Sequence, residues 1–275
     1  MYDIARYLNV RSAHGATFAP DGTLGFLLDA TGTPQVWTLA DAGGWPEQRT
    51  FSDERVTFAA FSPVRQELAF GMDEGGNERQ ALYRLDPDGT VTNLTDNDAK
   101  HRWGGWSHDG DRVAFASNRR EESVFDVYVQ GRDERGEDAE MVLEGDGWLS
   151  VAGWSPADDR LVVHEAHSSF DHDVHVLDVE SGGLTRLTDG DDEVRYSGLS
   201  WAPDGDGVYC CTDRDADTLY LARLDAAGGT LQTVVEGGGE REEARTPSGA
   251  SPPDGKWNVD EIGRASCRER VLRLV

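Results

Sequence analysis

The sequence predicts an all-β fold, a β-propeller of four-stranded blades with about five complete blades in an incomplete ring. The first observation is a motif that recurs along the 275 residues, an aromatic residue followed by Ser or Ala and then Pro or His. The second is that short, strand-like runs follow each copy. The five copies begin at Phe18, Phe61, Trp106, Trp154 and Trp201. The intervals between successive copies are 43, 45, 48 and 47 residues. A fixed period in the forties with strand-like contents is typical of propeller blades.

Each repeat contains the same strand signals in the same order. A tight turn, often Asp-Gly, follows the motif and favours a hairpin. An apolar run comes next, at residues 24–28, 67–70, 112–116, 161–164 and 207–211. A strand with period-two alternation follows a polar loop, at residues 35–39, 81–85, 126–130, 173–177 and 218–222. Several repeats end on a short strand, as at 91–95 and 184–188, so each repeat predicts one four-stranded blade.

The aromatic residue that opens each motif is predicted to serve packing. We expect it at the end of the innermost strand, wedged between neighbouring blades, because blades pack face to face around an axis. Trp106, Trp154 and Trp201 are therefore not predicted to bind a ligand.

The charge composition excludes two classes of partner. The chain has 52 Asp and Glu against 26 Lys and Arg, a net charge of −26. Such a chain repels nucleic-acid phosphates and acidic lipid headgroups, so we expect no nucleic acid and no membrane among its partners. Only two basic residues are lysines, Lys100 and Lys256. Abundant carboxylates with few lysines favour adaptation to high salt, where screening removes self-repulsion. An acidic protein without that adaptation is the alternative.

The sequence also predicts a cytoplasmic location. No stretch approaches the ~18 apolar residues of a membrane span. Residues 1–6 lack the basic and then apolar pattern of a signal peptide. The three cysteines suggest no disulfide framework, and the adjacent Cys210 and Cys211 are predicted to serve packing.

The repeats resemble those of TolB-type proteins and of the propeller domain of the prolyl oligopeptidase family of serine peptidases. Particular stretches are similar to the acylaminoacyl-peptidase-like branch from salt-loving archaea: YLNVRS at 7–12, WGGWSHDG at 103–110, FASNRR at 115–120 and HEAHSSF at 164–170. The resemblance extends over about residues 1–262. It implies a seven- or eight-bladed propeller that caps a carboxy-terminal α/β-hydrolase domain bearing Ser, Asp and His. The propeller of that family filters peptides by size.

The sequence departs from this family where the chemistry needs a nucleophile. A hydrolase of this type holds its Ser in Gly-x-Ser-x-Gly, because small residues allow the strained strand-to-helix turn. The nearest approaches, at Ser107, Ser155 and Ser200, lack the second Gly. We therefore expect no catalytic residue in this chain, which as given is not an enzyme, and we expect its parent protein to be a serine peptidase.

The predicted function is that of a non-catalytic propeller that gates and selects substrates for such a peptidase in the proteolysis of peptides. Its expected partners are the missing carboxy-terminal hydrolase domain of the same protein and peptides; no cofactor is expected. The alternative is a stand-alone TolB-like or WD-like propeller that acts as a protein–protein interaction module. The genomic sequence downstream of codon 262 distinguishes the two.

Three regions are predicted along the chain. Blades occupy residues 1–236, and a loop with the start of a sixth blade occupies residues 237–262. Residues 263–275 have a net charge of +3, against −29 for the preceding residues, and we expect them to be a non-native basic tail on a truncated fragment. A genuine basic helix at this end is the alternative.

The segments that enter the inner strands carry the candidate substrate-binding residues. Six basic or aromatic residues there are predicted to crowd around one mouth of the central channel: Arg55, Arg102, Trp103, Trp148, Arg195 and Tyr196. Bidentate arginine pairing and ring contacts could hold a peptide carboxylate. Ion pairing of each arginine with the abundant carboxylates is the alternative.

A cluster of histidines invites a metal hypothesis that the sequence does not favour. His164, His167, His172 and His175 lie within a predicted strand, loop and strand. The spacing of His164 and His167 differs from the His-Glu-x-x-His of a zinc helix, and an odd separation on a strand places them on opposite faces. Two pairs could still converge across a hairpin, but hydrogen-bonded histidines are the preferred interpretation, and no metal site is predicted. Asp-rich loops are likewise interpreted as acidic surface and not as calcium sites.

Overall fold

The computed structural model describes residues 10–190 and 193–235. Within these residues the chain forms five four-stranded antiparallel sheets, in each of which every strand pairs with the next along the sequence. Within these residues, one 3₁₀ turn, Gly136–Asp138, lies in the connection between the third and fourth strands of the third sheet. This architecture confirms the predicted all-β propeller of four-stranded blades. The predicted sixth blade and basic tail lie outside the described residues.

The chain divides into two compact units at Val151 and Ala152. The first unit contains three complete sheets. The first sheet consists of β1 (Ala13–Phe18), β2 (Leu24–Leu28), β3 (Gln35–Leu39) and β4 (Glu47–Gln48). The second sheet consists of β5 (Val56–Phe61), β6 (Leu68–Met72), β7 (Ala81–Leu85) and β8 (Val91–Asn93). The third sheet consists of β9 (His101–Trp106), β10 (Arg112–Glu121), β11 (Val124–Gly131) and β12 (Glu140–Leu143).

The second unit contains the rest of the fourth sheet and the fifth sheet. The first strand of the fourth sheet, β13 (Trp148–Trp154), spans the boundary between the units. It is followed by β14 (Arg160–Ala166), β15 (His172–Asp178) and β16 (Leu184–Arg186). The fifth sheet consists of β17 (Tyr196–Trp201), β18 (Gly207–Thr212), β19 (Tyr220–Asp225) and β20 (Leu231–Val235). Within the described residues, no helix has the length and apolar character that a membrane crossing requires.

The recurring aromatic residue is the last residue of the first strand in all five sheets, as predicted. Its contacts reach the preceding sheet. The indole Nε1 of Trp106 donates to the Ala60 carbonyl at 3.1 Å, and that of Trp201 donates to the Gly153 carbonyl at 3.2 Å. These bonds confirm the packing role for Trp106 and Trp201. The prediction is wrong for Phe18, which is 62% exposed because no described sheet precedes the first one.

The serine of the motif closes the turn that follows. The Ser107 hydroxyl donates to Asp109 at 2.6 Å and accepts from the Arg112 amide at 2.9 Å. The glycine of the turn, Gly110, has a φ of +71°, which favours a residue without a Cβ. Ser155 makes the corresponding bond to Asp159 at 2.6 Å. These local bonds set the hairpin between the first two strands of the third and fourth sheets.

The core lies between neighbouring sheets, on their second and third strands. One cluster in the first unit joins Leu82, Leu94, Val113, Phe115 and Tyr128. Another, in the second unit, surrounds Tyr196. The second strands β6, β10 and β18 are buried over most of their length. Cys210 and Cys211 are both buried, as their predicted packing role requires.

Candidate functional site

The leading candidate site is the guanidinium group of Arg102, which lies against two aromatic rings. Its Cζ is 4.3 Å from the ring centroid of Trp148 and 4.7 Å from that of Phe125. The two ring centroids are 5.5 Å apart. Each such cation–π contact stabilises the arrangement by about 0.5–2 kcal/mol. We refer to Arg102, Phe125 and Trp148 as the arginine clamp.

Three strands contribute one residue each to the arginine clamp. Arg102 is on β9, Phe125 on β11 and Trp148 at the start of β13. Phe125 is only 2% exposed, whereas Trp148 is 50% exposed. The Phe125 amide donates to the Gly147 carbonyl at 2.9 Å, which holds the residue before Trp148 beside β11. The clamp therefore has a buried ring and an exposed ring.

A buried ion pair fixes the loop that leads to Trp148. The side chain of Asp126 is fully buried and accepts from the Gly145 amide at 2.9 Å and from Arg120 Nη2 at 2.8 Å. Arg120 Nη2 also donates to the Gly145 carbonyl at 2.8 Å. Because Gly145 is bonded through both its amide and its carbonyl, the loop holds Trp148 against its neighbours.

The guanidinium of Arg102 is charged and has no acidic partner among residues 10–190 and 193–235. Burial lowers the pKa of this guanidinium, yet an arginine stays protonated at any physiological pH. Arg120 and Arg132, by contrast, pair with the buried carboxylates of Asp126 and Glu67. The planar edge of the Arg102 guanidinium can therefore donate two parallel hydrogen bonds to an external carboxylate.

The other predicted residues of the first unit have different roles. Trp103 stacks on Phe58 with a centroid separation of 5.6 Å and meets Trp106 edge-on at 5.6 Å. It packs against the core between the second and third sheets, which is a structural role. Arg55 is exposed just before β5.

The predicted residues of the second unit are occupied by internal contacts. Tyr196 is 2% exposed and belongs to the core, and burial raises the pKa of its phenol. Its ring is therefore inaccessible to a peptide in this conformation. The Arg195 amide donates to Asp213 at 2.9 Å, and the Arg195 guanidinium lies 3.7 Å from the same carboxylate. This contact is the ion pairing named as the alternative, and a binding role for these two residues stays a prediction.

Phe125 is the clamp residue that sequence reasoning missed. It directly precedes the predicted strand 126–130, and its apolar side chain indicates only burial. Its pairing with Arg102 depends on which strands become neighbours, and a single sequence does not contain that information.

The four histidines of the fourth sheet form two pairs. His164 Nε2 and His172 Nδ1 lie 3.1 and 3.0 Å from the carbonyl oxygen of Tyr196, and the two rings meet edge-on at 4.6 Å. His167 and His175 instead contact carboxylates. His167 Nε2 is 2.8 Å from Asp173, and His175 Nε2 is 3.0 Å from Glu165. The preferred interpretation of hydrogen-bonded histidines is therefore confirmed for these four side chains.

Asp173 is the most strongly perturbed carboxyl group of this sheet. Burial raises its pKa, but the hydrogen bonds from Arg186, Thr188 and His167 prevail and lower the pKa to about 2. The same bond to Asp173 raises the pKa of His167. A carboxylate and an imidazole that stabilise one another in this way can also act as ligands of a cation.

Comparison with known proteins identifies the fold and not a family. No family model matches the sequence, and no curated protein matches it. A prolyl endopeptidase has a TM-score of 0.67 at 14% identity, over 83% of this chain and 37% of that chain. TolB from Acinetobacter baumannii has a TM-score of 0.58 at 18% identity, over 80% of this chain and 53% of that chain. An oligogalacturonate lyase in complex with manganese has a TM-score of 0.63 at 14% identity, over 82% of this chain and 66% of that chain.

These likenesses define the class of protein. The chain is a β-propeller of four-stranded blades with the fold of TolB and of prolyl endopeptidase propellers. It spans about half the length of that TolB and 37% of the prolyl endopeptidase. Because one fold carries many activities, function has to be argued from the site.

Proposed function

We propose that this chain is the non-catalytic, substrate-selecting propeller of a serine peptidase of the prolyl oligopeptidase type, which acts on peptides. The observation that carries the proposal is the arginine clamp, in a fold similar to that of a prolyl endopeptidase. In a chain with a net charge of −26, the Arg102 guanidinium carries a positive charge that no acidic side chain of the described residues neutralises. Such a group suits an anion that arrives from outside, and the carboxylate of a short peptide has the matching geometry.

The two rings complete the recognition of a peptide. The exposed face of Trp148 offers apolar area for a side chain next to the carboxylate. The buried ring of Phe125 limits the positions open to the Arg102 guanidinium. Less conformational entropy is then lost when the peptide binds.

Two of the three serines nearest to the nucleophile pattern, Ser107 and Ser155, support a chemistry supplied from elsewhere. Ser107 and Ser155 are fully buried, and their hydroxyls donate to the carboxylates of Asp109 and Asp159. A serine nucleophile needs exposure to substrate and a histidine that takes its proton. The proposal therefore assigns catalysis to a hydrolase domain beyond this chain.

The composition of the chain supports a more specific assignment. A Lys-poor, acidic composition supports a salt-adapted, cytoplasmic protein of the acylaminoacyl-peptidase-like branch from salt-loving archaea.

The binding step can be tested with two forms of one fluorescent peptide, one with a free carboxylate and one with an amide. We expect the carboxylate form to bind more tightly. Arg102→Gln should abolish this preference with a loss of about 10–100-fold in affinity, as for a charge-assisted hydrogen bond. Arg11→Gln, which removes an exposed arginine outside the predicted substrate-binding residues, is the matched control and should leave the affinity unchanged.

Equal affinity for the two peptides, or equal losses in the two variants, would contradict the carboxylate contact. Because the TolB likeness also fits an interaction module, a chain that binds neither peptide would favour that alternative function.

A further inference from the structure

We propose that Glu165, His167 and Asp173 form a binding site for a first-row divalent metal ion of the zinc class. Each residue offers one ligand atom, and the three atoms lie within 4.8 Å of one another. A tetrahedral ion with ligand distances of about 2.0–2.1 Å needs its ligands roughly 3.3 Å apart. Small side-chain rotations therefore suffice to bring the three atoms onto one ion.

The hairpin of β14 and β15 places two carboxylates on one face. Glu165 and Asp173 are direct partners in the strand register. Like charges in opposite positions of a strand pair destabilise the pair. Asp173 is also 3% exposed, so water does little to screen the repulsion. Arg186 and His167 already contact Asp173, and a cation between the two carboxylates would add a favourable interaction with both negative charges.

His167 provides the nitrogen ligand from the loop that joins the two strands. Its amide donates to the Asp171 carbonyl at 2.9 Å, which closes the loop above the carboxylates. Its Nε2 is 2.8 Å from Asp173, and its Nδ1 is 3.9 Å from Glu165. Its side chain is 43% exposed, so an ion can reach the site from solvent. One imidazole with two carboxylates suits zinc, and a weaker site for manganese has the same donors.

The neighbours of the three ligands hold them as metal ligands are usually held. His175 Nε2 lies 3.0 Å from Glu165 Oε2, and Thr188 donates to Asp173 Oδ1 at 2.5 Å. Arg186 bonds to Asp173 Oδ2, and a carboxylate oxygen can accept a donor and a metal at the same time. Hydrogen bonds behind the ligands fix their orientation and support metal affinity.

Zinc binding to the 275-residue chain provides the test, measured by calorimetry in excess Mg²⁺ so that loose binding to surface carboxylates is suppressed. We expect one zinc equivalent at this site and a rise in the melting temperature with zinc. His167→Gln and Glu165→Gln should each lower the affinity at least tenfold. His14→Gln, an exposed histidine on β1, is the matched control and should bind zinc like the original chain.

A further variant separates ligation from folding. His175→Gln keeps all three ligands and should weaken zinc binding by about 10–100-fold, as expected when a supporting hydrogen bond is lost. Circular dichroism of each variant checks that the sheets are intact. The proposal is overturned if zinc binds no more tightly than Mg²⁺, or if folded His167→Gln binds zinc as tightly as folded His14→Gln.

Discussion

Single residues show how this acidic chain uses its few cations. Glu67 is 1% exposed and accepts from Arg132 Nε at 2.7 and 3.0 Å, with a further bond from Arg132 Nη2. The pair links the residue directly before β6 of the second sheet to the turn after β11 of the third. Removing one member would leave the other as a buried charge without compensation.

Arg132→Met should lower the free energy of unfolding by about 3–5 kcal/mol, because Glu67 then stays buried without its partner. Adding Glu67→Leu should recover much of this loss. The measurement is urea unfolding at neutral pH. Arg79→Met is the control, since Arg79 forms an exposed pair with Glu122 and should cost at most about 1 kcal/mol. Equal losses for Arg132→Met and Arg79→Met would contradict the assignment of a buried pair.

His101 should make the stability depend on pH. Burial lowers its pKa to about 4, and nearby Arg119 lowers it as well, so the folded chain holds this imidazole neutral. The unfolded chain protonates it near pH 6.5. The stabilisation is therefore present above pH 6.5 and is lost as the pH falls towards 4. Between pH 7 and 5 this loss amounts to roughly 2 kcal/mol.

His101→Gln removes the titrating group and retains a donor for the Gln80 carbonyl, which lies 2.9 Å from His101 Nδ1. Its free energy of unfolding should fall less between pH 7 and 5 than that of the original chain. Parallel pH profiles for the two proteins would contradict the buried neutral histidine.

At the scale of strands, the spacing of the repeats and their hydrophobic pattern predicted most of the fold. Residues 24–28, 35–39 and 81–85 form strands with the predicted bounds, because apolar runs and alternation both depend on the sequence nearby. In the third sheet, β10 and β11 are longer than the predicted strands 112–116 and 126–130. Pairing between these two strands adds hydrogen bonds beyond the apolar run. The predicted strand 218–222 is displaced to β19, Tyr220–Asp225.

The site was predicted less completely than the strands. The sequence predicted Arg102 and Trp148, because their position before a repeated motif is visible in the chain. It did not predict Phe125, nor the contacts that bury Tyr196 and engage Arg195, because these depend on which strands lie side by side. The convergence of Glu165, His167 and Asp173 likewise requires the register of β14 and β15.

Trp106→Phe should weaken the packing of the third sheet on the second. The change removes the hydrogen bond to the Ala60 carbonyl and part of the ring, so we expect a loss of about 1–2 kcal/mol in the free energy of unfolding. Trp45→Phe is the matched control, because Trp45 is 93% exposed. Its effect should stay within about 0.5 kcal/mol. Losses of the same size in both variants would contradict the packing role of the motif.

Over the whole molecule, the net charge of −26 is the dominant electrostatic feature. The screening length falls from ~10 Å at 0.1 M salt to ~3 Å at 1 M. Concentrated salt should therefore relieve the self-repulsion of the folded chain.

The melting temperature should be higher in 1 M KCl than in ~0.1 M KCl when followed by circular dichroism. NaCl at the same concentration should have a similar effect, because screening does not depend on the identity of the cation. Equal melting temperatures at low and high salt would contradict the salt-adaptation argument. A rise with KCl alone would indicate specific potassium binding in place of screening.

The most direct test of a non-catalytic, substrate-selecting propeller is hydrolysis of aminoacyl and short-peptide substrates by two proteins. One is the 275-residue chain, and the other is the product of the complete natural gene. We expect the full-length product to cleave these substrates and the folded 275-residue chain to leave them intact, since Ser107 and Ser155 are buried turn residues. Hydrolysis by the 275-residue chain alone, abolished by Ser107→Ala or Ser155→Ala, would place the active site in the propeller and contradict the proposed function.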